Sequence, residues 1–232
     1  MDMHLNKLLV PLVALGASFG FASSARAEMV LSQMIVDLMP GRPPREDIEV
    51  FNNGEERMYV LAEPSEIIAA GTAQERREPL PVSDLSDILV TPNRLVLEPG
   101  ERRTIRIAFI GVRPLSDRVY RVAIKPVAGK LAANESALKL MVGFDNLVLV
   151  RPMRFTGDIQ PHRQGQTLTL RNTGNTAQEL FEGKQCSDRT GECRDLPAKR
   201  LYPGATWEQS LPFATPVKYK SAIGSVVKDR QF

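Results

Sequence analysis

Hydrophobic residues in this chain recur at every second position in short runs, and nowhere at the sustained spacing of an amphipathic helix. The clearest instance is Thr91–Phe109. Leu95 and Leu97 alternate with Arg94, Val96 and Glu98. After Pro99-Gly100, Ile105, Ile107 and Phe109 alternate with Thr104, Arg106 and Ala108. A period of two puts one face of a strand in a core and the other in water. Pro followed by Gly supplies the fixed and the unrestricted backbone angles that a tight turn needs. The stretch therefore predicts two antiparallel strands around one turn.

The same logic extends along the chain. Met29–Val36 predicts a mixed apolar strand, and Ile48 and Val50 a strand that runs into the turn Asn52-Asn53-Gly54. Met58–Ala62 is the returning strand, and Gly71–Pro81 is a charged stretch expected to break structure. Val119–Val127, Ala137–Phe144 and Leu147–Val150 complete about seven or eight short strands before Arg151-Pro152. Beyond it, Thr167–Arg171 alternates into Asn172-Thr173-Gly174-Asn175, Leu180 and Phe181 belong to the next strand, and Leu201-Tyr202-Pro203-Gly204 followed by Trp207 repeats the strand, Pro-Gly, strand order. This pattern predicts an all-β protein of two immunoglobulin-like sandwiches, residues 28–152 and a smaller unit over 153–232 with Trp207 in its core. The linker at 151–155 is short, so the two should sit at a fixed angle with a cleft between them.

Residues 1–27 read as a cleaved export signal: Lys7, an apolar run from Leu8 to Ala22, and the small-x-small site Ala25-Arg26-Ala27. Removing Lys7, Arg26 and Asp2 lowers the formal charge from +3 by one, too small an excess to argue for nucleic acid. No second long apolar run appears, so the mature chain is not expected to enter a membrane. Only two cysteines occur, Cys186 and Cys193, in CSDRTGEC. In an oxidising compartment they are expected to close a hairpin disulfide, which stabilises by roughly 2–3 kcal/mol on the chain-entropy model.

Composition also limits chemistry. A zinc site would want two ligands beyond the cysteines, and the mature chain has one histidine, His162, in a polar loop. The mature chain has no Gly-x-Ser-x-Gly (the one match, Gly16–Gly20, lies in the export signal) and no glycine-rich phosphate loop. Asp84 and Asp87 read as turn residues in PVSDLSD. No enzyme activity, metal or cofactor is expected.

The order of these features resembles the periplasmic pilus chaperones (PapD-like) of chaperone–usher systems. The residues that carry the likeness are Asn52-Asn53-Gly54, Thr91-Pro92, Leu97-Glu98-Pro99-Gly100, Ile105-Arg106-Ile107, the Tyr120 strand and Arg151-Pro152. In the second half they are Asn172–Asn175, the cysteine pair, and Leu201–Gly204 with Trp207. The short 129–136 loop and the second-half motifs are similar to the archaic or alternative short-loop subgroup.

The resemblance implies a periplasmic chaperone for pilus subunits that delivers them to an outer-membrane usher in fimbrium biogenesis. Such subunits lack one strand, and the chaperone lends its own by strand addition. The matching segment is Ala137–Phe144, where Leu138, Leu140, Val142 and Phe144 point one way and Lys139, Met141 and Gly143 the other. Pattern alone does not separate lending from an ordinary strand that fills its own sandwich; the resemblance favours lending. A self-capping dimer that hides this strand is compatible with it. In the family a basic pair grips the subunit's terminal carboxylate, but the matching positions here, near Ile35 and Leu147, are not basic. Strand polarity suggests Arg94 and Arg121 as substitutes, while Arg151 is expected to pack in the linker, paired with Asp117. The alternative from another class is an exported immunoglobulin-like structural or adhesive surface protein.

Overall fold

The computed structural model describes residues 28–81, 86–127 and 141–232, and its regular elements are all strands. The first ten are β1 (Met29–Leu31), β2 (Ile35–Leu38), β3 (Arg45–Asn52), β4 (Met58–Ile68), β5 (Arg76–Pro79), β6 (Ile88–Thr91), β7 (Arg94–Leu97), β8 (Arg102–Phe109), β9 (Arg118–Val127) and β10 (Phe144–Val150). One sheet has the order β1-β3-β8-β6; the facing sheet has the order β2-β10-β9-β4-β5, with β7 also on β4. The alternation predicted for Thr91–Phe109 holds: Leu95, Leu97, Ile105, Ile107 and Phe109 are buried. They pack with Ile48, Val50, Val122, Ile124 and Val148 in one apolar core. On the wet side of the same sheet, Asp47 faces Arg106 across the β3/β8 ladder and receives both arms of its guanidinium at 2.8 Å.

Four sequence expectations are corrected. Met29–Val36 is two strands, because the chain crosses between sheets at Ser32–Met34: β1 runs antiparallel to β3, and β2 runs parallel to β10. The buried positions change phase accordingly, from Met29 to Val36 and Leu38. The charged stretch Gly71–Pro81 contains β5, whose four residues are all exposed and which pairs with β4 through its backbone and through Arg77 on the Ser65 hydroxyl. β4 runs to Ile68, well past Ala62, and carries Pro64 within it. Phe144 belongs with Leu147–Val150 in one strand; residues 137–140 lie outside the described residues.

The second unit holds β11 (Ile159–Gln164), β12 (Thr167–Asn172), β13 (Gln178–Cys186), β14 (Cys193–Leu196), β15 (Lys199–Leu201), β16 (Thr206–Ser210), β17 (Lys218–Ile223) and β18 (Val226–Gln231). β11-β12-β16 form one sheet and β14-β13-β17-β18 the other, with β15 on β13. Leu168, Leu170, Leu180, Leu201 and Tyr219 build its core, and Trp207 packs on that core partly buried. Cys186 and Cys193 are bonded, directly opposite each other in the β13/β14 register.

The two units solve one problem twice. Asn52 is fully buried at the end of β3. Its amide nitrogen donates to the Glu56 and Leu97 carbonyls at 2.7 and 3.1 Å, and its oxygen accepts from the Gly54 N–H at 3.0 Å. Asn172 does the same at the end of β12, with the Thr176 and Leu201 carbonyls and the Gly174 N–H, each at 2.8 Å. The glycine of each Pro-Gly turn, Gly100 at φ 75° and Gly204 at φ 78°, donates its N–H to that asparagine's own carbonyl. A buried carbonyl left without a donor costs about 1–3 kcal/mol. Asn172→Ala is expected to lower the stability of the second unit by on the order of 2–3 kcal/mol. Trp207 is the chain's single tryptophan, so its fluorescence during denaturant unfolding reads that unit directly; an unchanged midpoint would contradict the account.

Candidate functional site

The junction between the sandwiches is built around one guanidinium. Arg151 follows β10, and its side chain is 4 % exposed. Its Nε and Nη2 donate to the two carboxylate oxygens of Asp37 at 2.7 and 3.0 Å. Its Nη1 donates to Asp117 at 2.9 Å, and to the Thr176 hydroxyl and Ala177 carbonyl of the second unit at 2.9 and 2.8 Å. Asp117, fully buried, also accepts from the Thr176 hydroxyl and the Ala177 N–H, so the pair foreseen from sequence is the centre of a network that spans both sandwiches. Arg113, which sequence reasoning missed, donates to the carbonyls of Leu38, Met39 and Arg151 at 2.8–2.9 Å and fixes the strand ends. Tyr202, from the second Pro-Gly turn, packs, like Ile67, on a cluster of Ala70, Val119, Leu147 and Leu149 of the first unit. The cleft beside this junction holds a cavity of about 530 Å³ lined by residues that include Ile35, Asp37, Arg42, Arg151, Glu179 and Arg200.

β10 leads into that junction. On one side it is paired with β9 along its whole length, from Phe144↔Ile124 to Val150↔Arg118. On the other side β2 covers it only from Leu147 onward. Among the described residues no strand pairs with that outer edge at Phe144–Asn146 or at Met141–Gly143 before it. Val142, one of the four apolar positions singled out, is 55 % exposed. Phe144 is partly buried against the first core. Leu138 and Leu140 lie outside the described residues. Gly143 sits close on β9, where an added Cβ would lie 2.9 Å from the Lys125 Cβ.

The face of this sheet that turns to the cleft can be read across in register: Ile35, Leu147, Arg121, Ser65 and Pro79 lie in one row. The two positions that match the family's basic pair are thus direct neighbours and both apolar. Arg121 lies one strand away from Leu147, about 5 Å across the sheet. Arg94 lies opposite Leu61, four residues further along β4 from Ser65, which is about 13 Å nearer the far end. The structure does not bring Arg94 and Arg121 together. It brings Arg121 together with Arg77 of β5, an arginine with no sequence signal. Arg77 donates to both oxygens of Asp145 at 3.1 and 2.8 Å and to the Ser65 hydroxyl at 2.7 Å. Arg121 donates to the Asp145 carbonyl at 3.0 Å and stands 3.9 Å from its carboxylate. Two cations with forked donors on one carboxylate make an anion-binding surface. Elsewhere the described residues hold no cluster of three His, Cys, Asp or Glu that could take a metal, and no helix long and apolar enough to cross a membrane.

Burial lifts the Asp117 carboxyl above the ordinary carboxylate range, and Arg151, the Ala177 N–H and the Thr176 hydroxyl offset this only in part. Arg151 divides its charge between two carboxylates, so neither has a full counterion. Because the native value is raised above the unfolded one, ionising Asp117 opposes folding, and that share of stability is lost as pH rises through the raised value. Arg151→Ala is expected to cost about 3–5 kcal/mol at neutral pH by stranding this carboxylate. The deficit should shrink as pH falls from neutral through the raised value of Asp117, which loss of Arg151 lifts further, because a protonated carboxyl needs no counterion. Urea unfolding across pH checks it; a deficit of constant size would exclude the stranded charge as its cause.

No family profile and no curated protein sequence matches the chain. Solved structures do. The class 5 fimbriae chaperone CfaA aligns with a TM-score of 0.66 at 20 % identity, over 88 % of this chain and 98 % of that one. The CsuC–CsuE chaperone–tip subunit pre-assembly complex of the archaic Csu pili of Acinetobacter baumannii aligns at 0.59 and 13 % identity, over 88 % and 98 %. The complex of SafA pilin with the SafB chaperone of Salmonella enterica aligns at 0.61 and 16 % identity, over 90 % and 99 %. These alignments run through both sandwiches, and the chain has the two-domain fold of the chaperones of fimbrial assembly.

Proposed function

We propose that this protein is a periplasmic chaperone that caps a strand-deficient pilus subunit by lending it the segment through Phe144 and passes the capped subunit to an outer-membrane usher. The observation that carries this reading is the edge of β10, left uncovered before Leu147 next to an exposed Val142. An uncovered edge offers backbone donors and acceptors to an added strand, and alternate apolar side chains fill the acceptor's core. Burying each such side chain contributes about 1.5–3 kcal/mol gross, offset by the lost freedom of both partners. The rigid junction at Arg151 supports the same reading, because a bound subunit must meet one fixed cleft. The chaperone complexes among the structural neighbours, with a tip subunit in one and a pilin in another, support it by analogy of fold. The reading entails no catalysis and no cofactor.

For the subunit's terminal carboxylate, the best-supported anchor is Arg121 with Arg77, one strand over from the position where the family carries its basic residue. Arg94 is too far along the sheet to share that site, although it remains exposed on the same face. An adhesive surface protein would have no use for an uncovered strand edge ending at two convergent arginines.

Co-expression in the periplasm with a candidate subunit, followed by co-purification, tests the proposal. Val142→Asp, and Leu140→Asp in the same segment, are expected to leave the thermal midpoint unchanged while complex recovery falls by roughly 100-fold, as loss of a buried side chain and burial of a charge require. Normal recovery from either variant would sink it. Arg77→Ala with Arg121→Ala should reduce recovery by about tenfold, whereas Arg94→Ala should not; wild-type recovery from the double variant removes the anchor.

A further inference from the structure

We propose that Asp145 is a built-in occupant of the Arg77–Arg121 pair, displaced by the terminal carboxylate of an incoming strand. The inference rests on the chaperone reading and adds to it a residue that the family resemblance does not supply. Asp145 belongs to the lending strand itself, two residues before Leu147, and alternation puts both side chains on the cleft face. Its carboxylate takes both arms of Arg77, and Arg121 holds its backbone carbonyl. The site is therefore already filled by the chemical group that it would receive.

Three features make the occupant exchangeable. Arg77 and Asp145 are 44 % and 45 % exposed, so water reaches both, and an ion pair in water is weak enough to trade for another of the same kind. Two guanidiniums facing one carboxylate leave a surplus positive charge that still draws an anion. Asp145 is also the place where an added strand must stop, since β2 covers β10 from Leu147. A segment that ends there with a free carboxylate can evict Asp145 and keep both arginines neutralised. A segment that continues, or that ends in an uncharged group, must leave Asp145 in place and forgo the contact. The competition thus selects against chains that present an exposed edge but no correctly placed terminus.

The test is the dissociation rate of the co-purified chaperone–subunit complex in moderate urea, for the wild type, Asp145→Asn and Asp145→Ala. Removing the competitor should slow dissociation by roughly two- to fivefold, the worth of an exposed ion pair. The gain should vanish when Arg77→Ala and Arg121→Ala are added. It should also vanish with a subunit extended by Gly-Ser-Gly at its C-terminus, which moves the carboxylate; persistence with that subunit would assign the contact to an acidic side chain and overturn the proposal. Equal or faster dissociation from both Asp145 variants overturns it too, while the complex itself survives and the chaperone reading stands. Failure of the wild-type chain to capture any subunit would instead remove both.

Discussion

A single buried guanidinium decides the geometry of this molecule. Arg151 makes five side-chain contacts, three to Asp37 and Asp117 of its own sandwich and two to Thr176 and Ala177 of the other, and its side chain is almost wholly out of water. Burying that charge is unfavourable unless every donor is satisfied, and the energy balance of such clusters is often no better than that of an apolar replacement. What the cluster provides is direction. A planar fork that must meet Asp37, Asp117, Thr176 and Ala177 at once admits one relative placement of the units, which a greasy contact of equal area would not. Tyr202 adds apolar contact at the same junction, wedged over Gly71, whose φ of 73° and missing Cβ leave room for the ring.

With the angle fixed, the unfinished part of the structure gains meaning. The outer strands of the first sandwich are short, three residues in β1 and four each in β5 and β6, and β5 is lined with charge, which is how soluble β proteins avoid sticking to one another. The exception is β10 ahead of Leu147. Among the described residues no strand pairs with its outer edge there, ahead of the point where β2 begins to cover it.

Much of this was legible in the sequence, and the reason is physical. Strands buried on one face must alternate, so β7, β8 and β12 announced themselves. Pro-Gly turns and the cysteine hairpin are local, which is why the sequence shows them; the ion pair of Arg151 with Asp117 is expected as well, but not the network around it. The failures share a cause as well. β5 and β18 are edge strands whose side chains are mostly exposed, held by backbone pairing and by polar contacts such as those of Arg77 and Arg230 that leave no trace in hydropathy. Met29–Val36 reads as one strand because apolar residues on both sides of the crossing hide its change of phase. Arg77 could not be found, since its role depends on three neighbouring strands that only the folded sheet brings together.

That crossing of the first strand has a quantitative meaning. Where Ser32–Met34 leaves one sheet and joins the other, it sets the boundary between the half of β10 that belongs permanently to this chain and the half that is available. The Leu147 N–H already donates to the Met34 carbonyl at that boundary. On the proposed reading, a strand added to the vacant half ends at this fixed stop, and its side chains are counted back from it in steps of two. On that reading, the register of recognition is measured against the chain's own β2, which acts as the zero mark of a ruler.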